Sequence, residues 1–147
     1  MLAKMDELDD RLLRELSRDG RAPVSALARR LKVPRSTVKE RLDRLIKLGV
    51  IKRFEAVLDH NKLGQPTIVY ILASFMPGTG GIHREVARDL MRIPGVEAVA
   101  MISGEWDLLL RVRGASMEAV GNLIVDRLRT IPSIARTLSM GSFYCVE

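Results

Sequence analysis

The chain has 147 residues and a net charge of +6, with 47% hydrophobic and 29% charged residues. This length suits one ordinary domain or two small ones, and the composition is typical of a globular protein. No stretch approaches 18 consecutive apolar residues, and the first residues lack the basic-then-apolar order of a signal peptide, so we expect neither a membrane span nor a secretory leader. The single cysteine, Cys145, excludes an intramolecular disulfide and favours a reducing, cytoplasmic setting.

The positive charge is concentrated in the N-terminal part of the chain. Between Arg29 and Arg53 there are 10 basic and 2 acidic residues, a net charge of +8, whereas residues 61–147 carry a net charge of +1. A basic segment beside a nearly neutral remainder indicates a module that binds a polyanion. Taken alone, a run of charged residues is equally well explained as an ordinary solvent-exposed face.

Three helices are predicted at the N-terminus. Asp6 is suited to cap the first helix, which has an apolar stripe at helical spacing. The second helix starts near Pro23 and ends before Pro34, because proline disfavours the helical conformation at the residue that precedes it. Gly49 is suited to end the third helix in the left-handed conformation. The stretch from Ala22 to Leu48 therefore predicts two short helices joined by a tight turn.

The third helix carries the residues that we expect to contact DNA. Val38, Leu42 and Leu45 lie within about 60° of each other at about 100° per residue, so they form its inner face. Short polar side chains near its start suit the reading of base edges, and long cations further along suit phosphates. The predicted contacts are Arg35 at the helix start, Ser36, Thr37 and Glu40 at base edges, and Lys39, Arg44 and Lys47 at phosphates. Arg41 lies nearer the core boundary and is a candidate for a structural ion pair instead.

The segment Val50–Leu58 has strand-like stretches. A basic strand just after such a helix indicates a wing that touches the DNA backbone, with Lys52 and Arg53 as its candidate contacts. Residues 1–59 are therefore predicted to form a winged helix-turn-helix domain. The alternative is a helical bundle used for protein contacts.

Residues 60–66 are polar and turn-rich and are predicted to be a hinge. The pattern over residues 67–147 then follows the order βαββαβ, which predicts a ferredoxin-like α+β domain with a four-stranded antiparallel sheet and both helices on one face. The other face is expected to be apolar and to bind a second copy of the chain. Its expected side chains are Ile71, Ala73, Val99, Met101, Leu109 and Arg111, or their alternating partners.

No arrangement of residues predicts catalysis. The glycine-rich residues 78–81 loosely resemble a phosphate cradle, but they lack the Lys-Ser/Thr ending and the spacing of a nucleotide fingerprint, so a flexible turn is favoured. His60 has no neighbours at metal-ligand spacing, and His83 has no evident nucleophile beside it. Cys145 falls in an apolar predicted strand. We predict no catalytic residues, no metal ligands and no cofactor.

Short motifs in a fixed order make nearly the whole chain, from Met5 to Tyr144, resemble the Lrp/AsnC family of bacterial and archaeal regulators. In the first domain and hinge these are Met5-Asp6-Glu7-Leu8-Asp9, Leu16-Ser17-Arg18-Asp19-Gly20-Arg21, Leu27-Ala28, Arg35-Ser36-Thr37-Val38, Arg41-Leu42-Asp43-Arg44-Leu45, Gly49-Val50-Ile51 and Lys62-Leu63-Gly64. In the second domain they are Ile93-Pro94-Gly95-Val96, Gly104-Glu105-Trp106-Asp107 and Ile131-Pro132-Ser133-Ile134.

The resemblance implies a C-terminal effector and oligomerisation domain of the RAM type, dimers that assemble further to tetramers or octamers, and an amino-acid effector bound where effector domains meet. By position, the implied effector site comprises Ser103, Gly104, Glu105, Trp106, Asp107, Thr137 and Ser139. A carboxylate such as Asp107 would bind the ammonium group, and backbone N–H groups or hydroxyls would bind the carboxylate. The alternative is a plain hairpin turn. Two residues depart from the family pattern: Pro34 stands where a serine cap is frequent, and Trp106 where a smaller aromatic is usual.

Three functions remain open at this point. The first is a sequence-specific transcriptional regulator switched by a small molecule, with double-stranded DNA, a second copy of the chain and an effector as partners, and no membrane. The second is an architectural DNA-binding protein that responds to no ligand. The third is a metabolite-sensing regulatory subunit of an enzyme.

Overall fold

The computed structural model describes residues 4–143 and contains two compact units, Met1–Val57 and Leu58–Glu147. Cys145, which was predicted to lie in the last strand, is outside the described residues. None of the helices described between residues 4 and 143 is both long enough and apolar enough to cross a membrane.

Three helices form the first unit: α1 at Glu7–Arg18, α2 at Val24–Leu31 and α3 at Arg35–Lys47. Asp6 caps α1 as predicted, and it does so in a reciprocal capping box. The Asp9 N–H donates to the Asp6 carboxylate and the Asp6 N–H donates to the Asp9 carboxylate, both at 3.0 Å. The three helices enclose an apolar core of Leu12, Leu27, Ala28, Leu31, Val38 and Leu45.

Residues 32–34 form the turn between α2 and α3. Lys32 is left-handed, with a φ of 58°, which is uncommon for a residue with a side chain. Val33 packs against the core, and Pro34 is extended, with a ψ of 149°, before α3 begins. Gly49 follows α3 with a φ of 71°, which confirms the predicted left-handed end.

The predicted wing strand is wrong, because residues 50–58 contain no strand. Val50 and Ile51 pack against the helical core, and their N–H groups donate to the Leu45 carbonyl. Beyond them the side chains of Phe54 and Val57 are exposed. A strand needs a neighbouring strand to satisfy its backbone groups, and the described part of this unit contains none.

The second unit has the predicted βαββαβ order. Its elements are β1 at Thr67–Phe75, α4 at His83–Leu90, β2 at Val96–Met101, β3 at Leu108–Gly114, α5 at Met117–Leu123 and β4 at Ile134–Gly141. A π-helical turn, Ile124–Leu128, continues α5. The strands form one antiparallel sheet in the order β2-β3-β1-β4, so the ferredoxin-like arrangement is confirmed.

The two faces of this sheet differ in what covers them. Side chains alternate along a strand, and directly paired residues share a face. Ile71 and Ala73 of β1 are fully buried in a core that includes Leu90 of α4 and Val120 of α5. We call the face that carries Ile71 the covered face, and the opposite face the open face.

Of the two alternatives given for the open face, the alternating partners apply to β1 and β2 and the residues named first apply to β3. Ile71 and Ala73 lie on the covered face, together with Val99 and Met101, which pair with the buried Leu110 and Leu108. Leu109 and Arg111 do lie on the open face, where they pair with Leu72 and Tyr70. The sequence shows that side chains alternate between the two faces of the sheet. Which alternate set is buried depends on which face the helices cover.

Candidate nucleic-acid interface and effector site

The solvent-facing side of α3 carries most of the predicted DNA contacts. Exposed side chains along it are Arg35, Ser36, Lys39, Glu40, Asp43 and Lys47. Thr37 is half-buried, so its side chain is less accessible than those of its neighbours. Val38 and Leu45 are buried against the core, as predicted for the inner face. The amphipathic pattern thus leaves an exposed surface with both short polar groups and cations.

Two arginines of α3 point toward α1 instead. Asp9 of α1 has no exposed surface, and its carboxylate binds the guanidinium groups of Arg41, at 3.2 Å, and Arg44. Arg41 also pairs with Asp6. The structural ion pair suggested for Arg41 is therefore present.

Hydrogen bonding keeps both carboxylates of this cluster ionised. Burial raises the pKa of Asp9, but hydrogen bonds from the Asp6 N–H and from the guanidinium groups of Arg44 and Arg41 outweigh it, so the pKa lies below the ordinary 3.8. The Asp9 N–H and the Arg41 guanidinium likewise lower the pKa of Asp6. At neutral pH the cluster therefore joins α1 to α3 through charge-assisted hydrogen bonds.

Arg44, which was predicted to contact a phosphate, pairs with a carboxylate of the same unit. Its guanidinium binds the buried Asp9 carboxylate, so it joins α3 to α1. Sequence reasoning also missed Asp9. The signal for it was the Asp-x-x-Asp spacing of the capping box, combined with two arginines three residues apart on α3.

Lys52 and Arg53 are both exposed in the segment after α3. Arg53 binds the Glu55 carboxylate at 2.9 Å through an ion pair whose two side chains are 75% and 68% exposed. Such an exposed pair contributes only about 0–1 kcal/mol, so it leaves Arg53 able to exchange partners.

The loop predicted to bind an effector joins β2 to β3. Gly104 has a φ of 123°, a conformation that residues with side chains rarely adopt. The Asp107 N–H donates to the Ala73 carbonyl at 3.0 Å, and the Asp107 carboxylate accepts from the Phe75 N–H at 2.8 Å. Asp107 thereby ties the loop to the end of β1, in addition to the ammonium-binding role implied for it.

Trp106 and Glu105 in this loop both contact Arg136 of β4. The Arg136 guanidinium carbon lies 4.5 Å from the centroid of the Trp106 ring, and its Nη2 lies 2.9 Å from the Glu105 Oε1. Sequence reasoning missed Arg136, because nothing local distinguishes it from other exposed arginines of the chain.

The structure does not bring all the implied effector residues together within one chain. Thr137 and Ser139 pair with Ala73 and Ile71, which places their side chains on the covered face. Arg136 lies on the open face, because it pairs with Ser74. Ser139 lines a cavity of about 220 Å³ with residues of α5 and the π-helical turn. The implied site is thus divided between the two faces.

Both units of this chain are similar to known proteins. The AsnC-type helix-turn-helix domain matches residues 5–46, and the Lrp/AsnC ligand binding domain matches residues 68–143. An uncharacterised HTH-type transcriptional regulator of Pyrococcus horikoshii is 40% identical over 143 residues, which cover 97% of this chain and 95% of that protein. The structure of B. subtilis LrpC is 26% identical, with a TM-score of 0.83 and 99% of each chain covered.

One more solved structure shares the fold of this chain. A transcriptional regulator of Neisseria meningitidis, solved as a complex with L-Met, is 22% identical to this chain. It superimposes with a TM-score of 0.90 over 98% of this chain and 93% of that one.

A helix-turn-helix unit followed by an antiparallel α+β unit defines a DNA-binding regulator with a ligand-binding domain. The chain belongs to the Lrp/AsnC family of transcriptional regulators. This is a family of regulators and not of enzymes.

Proposed function

We propose that the chain is a sequence-specific regulator of transcription whose DNA binding is modulated by an amino acid or a related small metabolite. In this proposal residues 1–59 bind DNA, residues 60–66 form a hinge, and residues 67–147 bind the effector and drive assembly. The protein acts in the cytoplasm, where its DNA target lies. The observation that carries the proposal is the exposed polar and basic side of α3 within a helix-turn-helix.

The exposed residues of α3 divide into two roles. Ser36 and Glu40 read base edges in the major groove, with Thr37 in a lesser role because it is half-buried. The phosphate contacts come from exposed cations, which set affinity without reading sequence. They are Arg35, Lys39 and Lys47 on α3, and Lys52 and Arg53 after it.

The open face of the sheet supports assembly through a second copy. Leu138 and Met140 of β4 lie there at 46% and 41% exposure, beside Leu72 and Tyr70 of β1. Two such faces packed together would remove apolar surface from water and give a homodimer with two recognition helices, which could assemble further to a tetramer or octamer.

Salt dependence tests the DNA-binding proposal. Affinity of the full chain for double-stranded DNA should fall by about 10³–10⁵-fold between about 50 and 200 mM salt if about 6–10 phosphates are contacted. Gel shift or fluorescence anisotropy measures this fall. An absence of salt-sensitive binding would contradict the proposal and favour protein contacts for the first unit.

Base reading is tested by substitutions that keep the charge of the phosphate contacts. Ser36→Ala and Glu40→Ala should change which sequences are selected from a randomised DNA pool. Ser17→Ala on α1 is the matched control, since it also removes an exposed hydroxyl but lies on another helix. Unchanged preferences in both α3 variants would remove Ser36 and Glu40 from the readout.

A ligand-independent architectural protein is the second candidate. It is favoured by the division of the implied effector residues between the two faces of the sheet. Calorimetry of the full chain against the common amino acids separates the two candidates. No binding at millimolar concentration would favour the architectural function.

A further inference from the structure

Arg136 is held in a defined position by two groups of the β2–β3 loop. Its guanidinium carbon lies over the Trp106 ring, 4.5 Å from the ring centroid, and the guanidinium pairs with Glu105 at 2.9 Å. The loop is fastened to β1 through Asp107, and β1 pairs directly with β4, the strand that carries Arg136. The guanidinium therefore belongs to a residue of the hydrogen-bonded sheet, which fixes its position more firmly than a free chain end would.

The Arg136–Glu105 ion pair is easily exchanged. Its two side chains are 54% and 70% exposed, and pairs of this kind contribute little to stability because water solvates both charges well. The cation–π contact with Trp106 meanwhile holds the guanidinium near the loop, and the planar fork of its N–H groups suits a bidentate carboxylate.

We propose that Arg136 is the carboxylate receptor of the effector site and that an amino-acid zwitterion binds by inserting between Arg136 and Glu105. This inference rests on the proposed effector-dependent function. The amino acid's carboxylate binds the Arg136 guanidinium above Trp106, and its ammonium group binds the displaced Glu105 carboxylate. One ion pair is replaced by two, and no charge is left unpaired.

Charge balance explains why a zwitterion fits better than a simple anion. A monocarboxylic acid would bind Arg136, but its carboxylate would then lie close to the negative charge of Glu105 with no ammonium group between them. An amino-acid amide would bind Glu105 but leave Arg136 without its partner. Asp107 is a weaker candidate for the ammonium, because its carboxylate already accepts the Phe75 N–H at 2.8 Å.

Trp106 is the single tryptophan of the chain, so its emission reports directly on this site. The common L-amino acids are titrated singly, up to millimolar concentration, into the full-length protein while Trp106 fluorescence is followed. We expect at least one to change the emission saturably. Its amide and its N-acetyl derivative should each bind about tenfold or more weakly, since each lacks one of the two charges.

Variants assign the binding to these residues. Arg136→Ala and Glu105→Gln should each weaken the tightest-binding amino acid by about 10- to 100-fold, measured by calorimetry. Arg92→Ala is the matched control: it breaks another exposed Arg–carboxylate pair of 2.9 Å, with Asp89, and should bind unchanged. If Arg136→Ala does not fold, Arg136→Lys serves instead, because it keeps the charge but loses the planar fork and should still bind more weakly.

Three results would overturn the inference. Wild-type affinity in Arg136→Ala, or in Arg136→Lys where only that variant folds, would place the carboxylate elsewhere while leaving the effector function intact. Equal affinity for the amide would exclude carboxylate recognition. If no amino acid binds the wild type, the inference and the effector part of the proposed function both fail, and DNA binding stands on its own salt-dependence test.

Discussion

The Asp9 cluster of the first unit and the Arg136–Glu105 pair of the second unit both join arginine to carboxylate, and they differ in burial. In the first unit, Asp9 is fully buried and binds both Arg41 and Arg44. In the second unit, Glu105 is 70% exposed and pairs with Arg136. A buried charge that loses its partners is costly, whereas an exposed one returns to water with little loss. The Asp9 cluster is therefore fixed and structural, and the Glu105 pair is exchangeable.

The largest loss of stability is expected when the Asp9 carboxylate is removed. Asp9→Asn should lower the free energy of unfolding by about 2 kcal/mol, because two guanidinium groups lose a charged acceptor. Urea unfolding followed by far-UV circular dichroism measures the loss, and Trp106 emission reports separately on the second unit. Asp10→Asn is the control, since Asp10 is exposed on the same helix. Equal stability of the two variants would contradict a structural role for Asp9.

The second prediction concerns Arg44 and Lys47, two cations three residues apart on α3. Arg44→Ala should cost about 1 kcal/mol of unfolding free energy, because Arg41 still pairs with Asp9. Lys47→Ala should leave stability unchanged. It should reduce the slope of log DNA affinity against log salt concentration by about 1, because one phosphate contact is lost. A smaller salt slope in Arg44→Ala, without a loss of stability, would return Arg44 to the phosphate contacts.

Acid should weaken the first cluster in a definite direction. The pKa values of Asp9 and Asp6 lie below the ordinary 3.8, so the ionised carboxylates stabilise the fold above that pH. This contribution is lost as the pH falls through the lowered pKa values. The stability difference between wild type and Asp9→Asn, measured by urea unfolding, should be constant above about pH 5 and shrink in stronger acid. A difference independent of pH would show that the ionised carboxylate does not cause it.

The smallest effect is expected for exposed pairs. Arg53→Ala, which breaks the pair with Glu55, should change the unfolding free energy by less than about 0.5 kcal/mol. The same holds for Arg136→Ala, whose effect should be on ligand binding instead. Thermal unfolding of both variants beside Asp9→Asn checks this order. A loss in Arg136→Ala as large as that in Asp9→Asn would make both clusters structural.

Local sequence determined which elements form and where most of them end. Pro34 and Gly49 bound α3, Asp6 caps α1, and the change from helical to alternating apolar spacing beyond residue 66 predicts the βαββαβ order. These signals act over a few residues, through backbone conformation and the period of apolar side chains, so they can be read without knowing the fold.

Which residues lie opposite one another depends on the tertiary structure. Arg44 binds Asp9 because α3 meets α1, a contact between residues 35 positions apart. Arg136 and Ser139 lie on different faces because of their pairing with β1, and a shift of one residue in that register would exchange them. The segment after α3 has strand-like residues but no strand beside it. Each outcome depends on a partner distant in the chain, which local patterns do not specify.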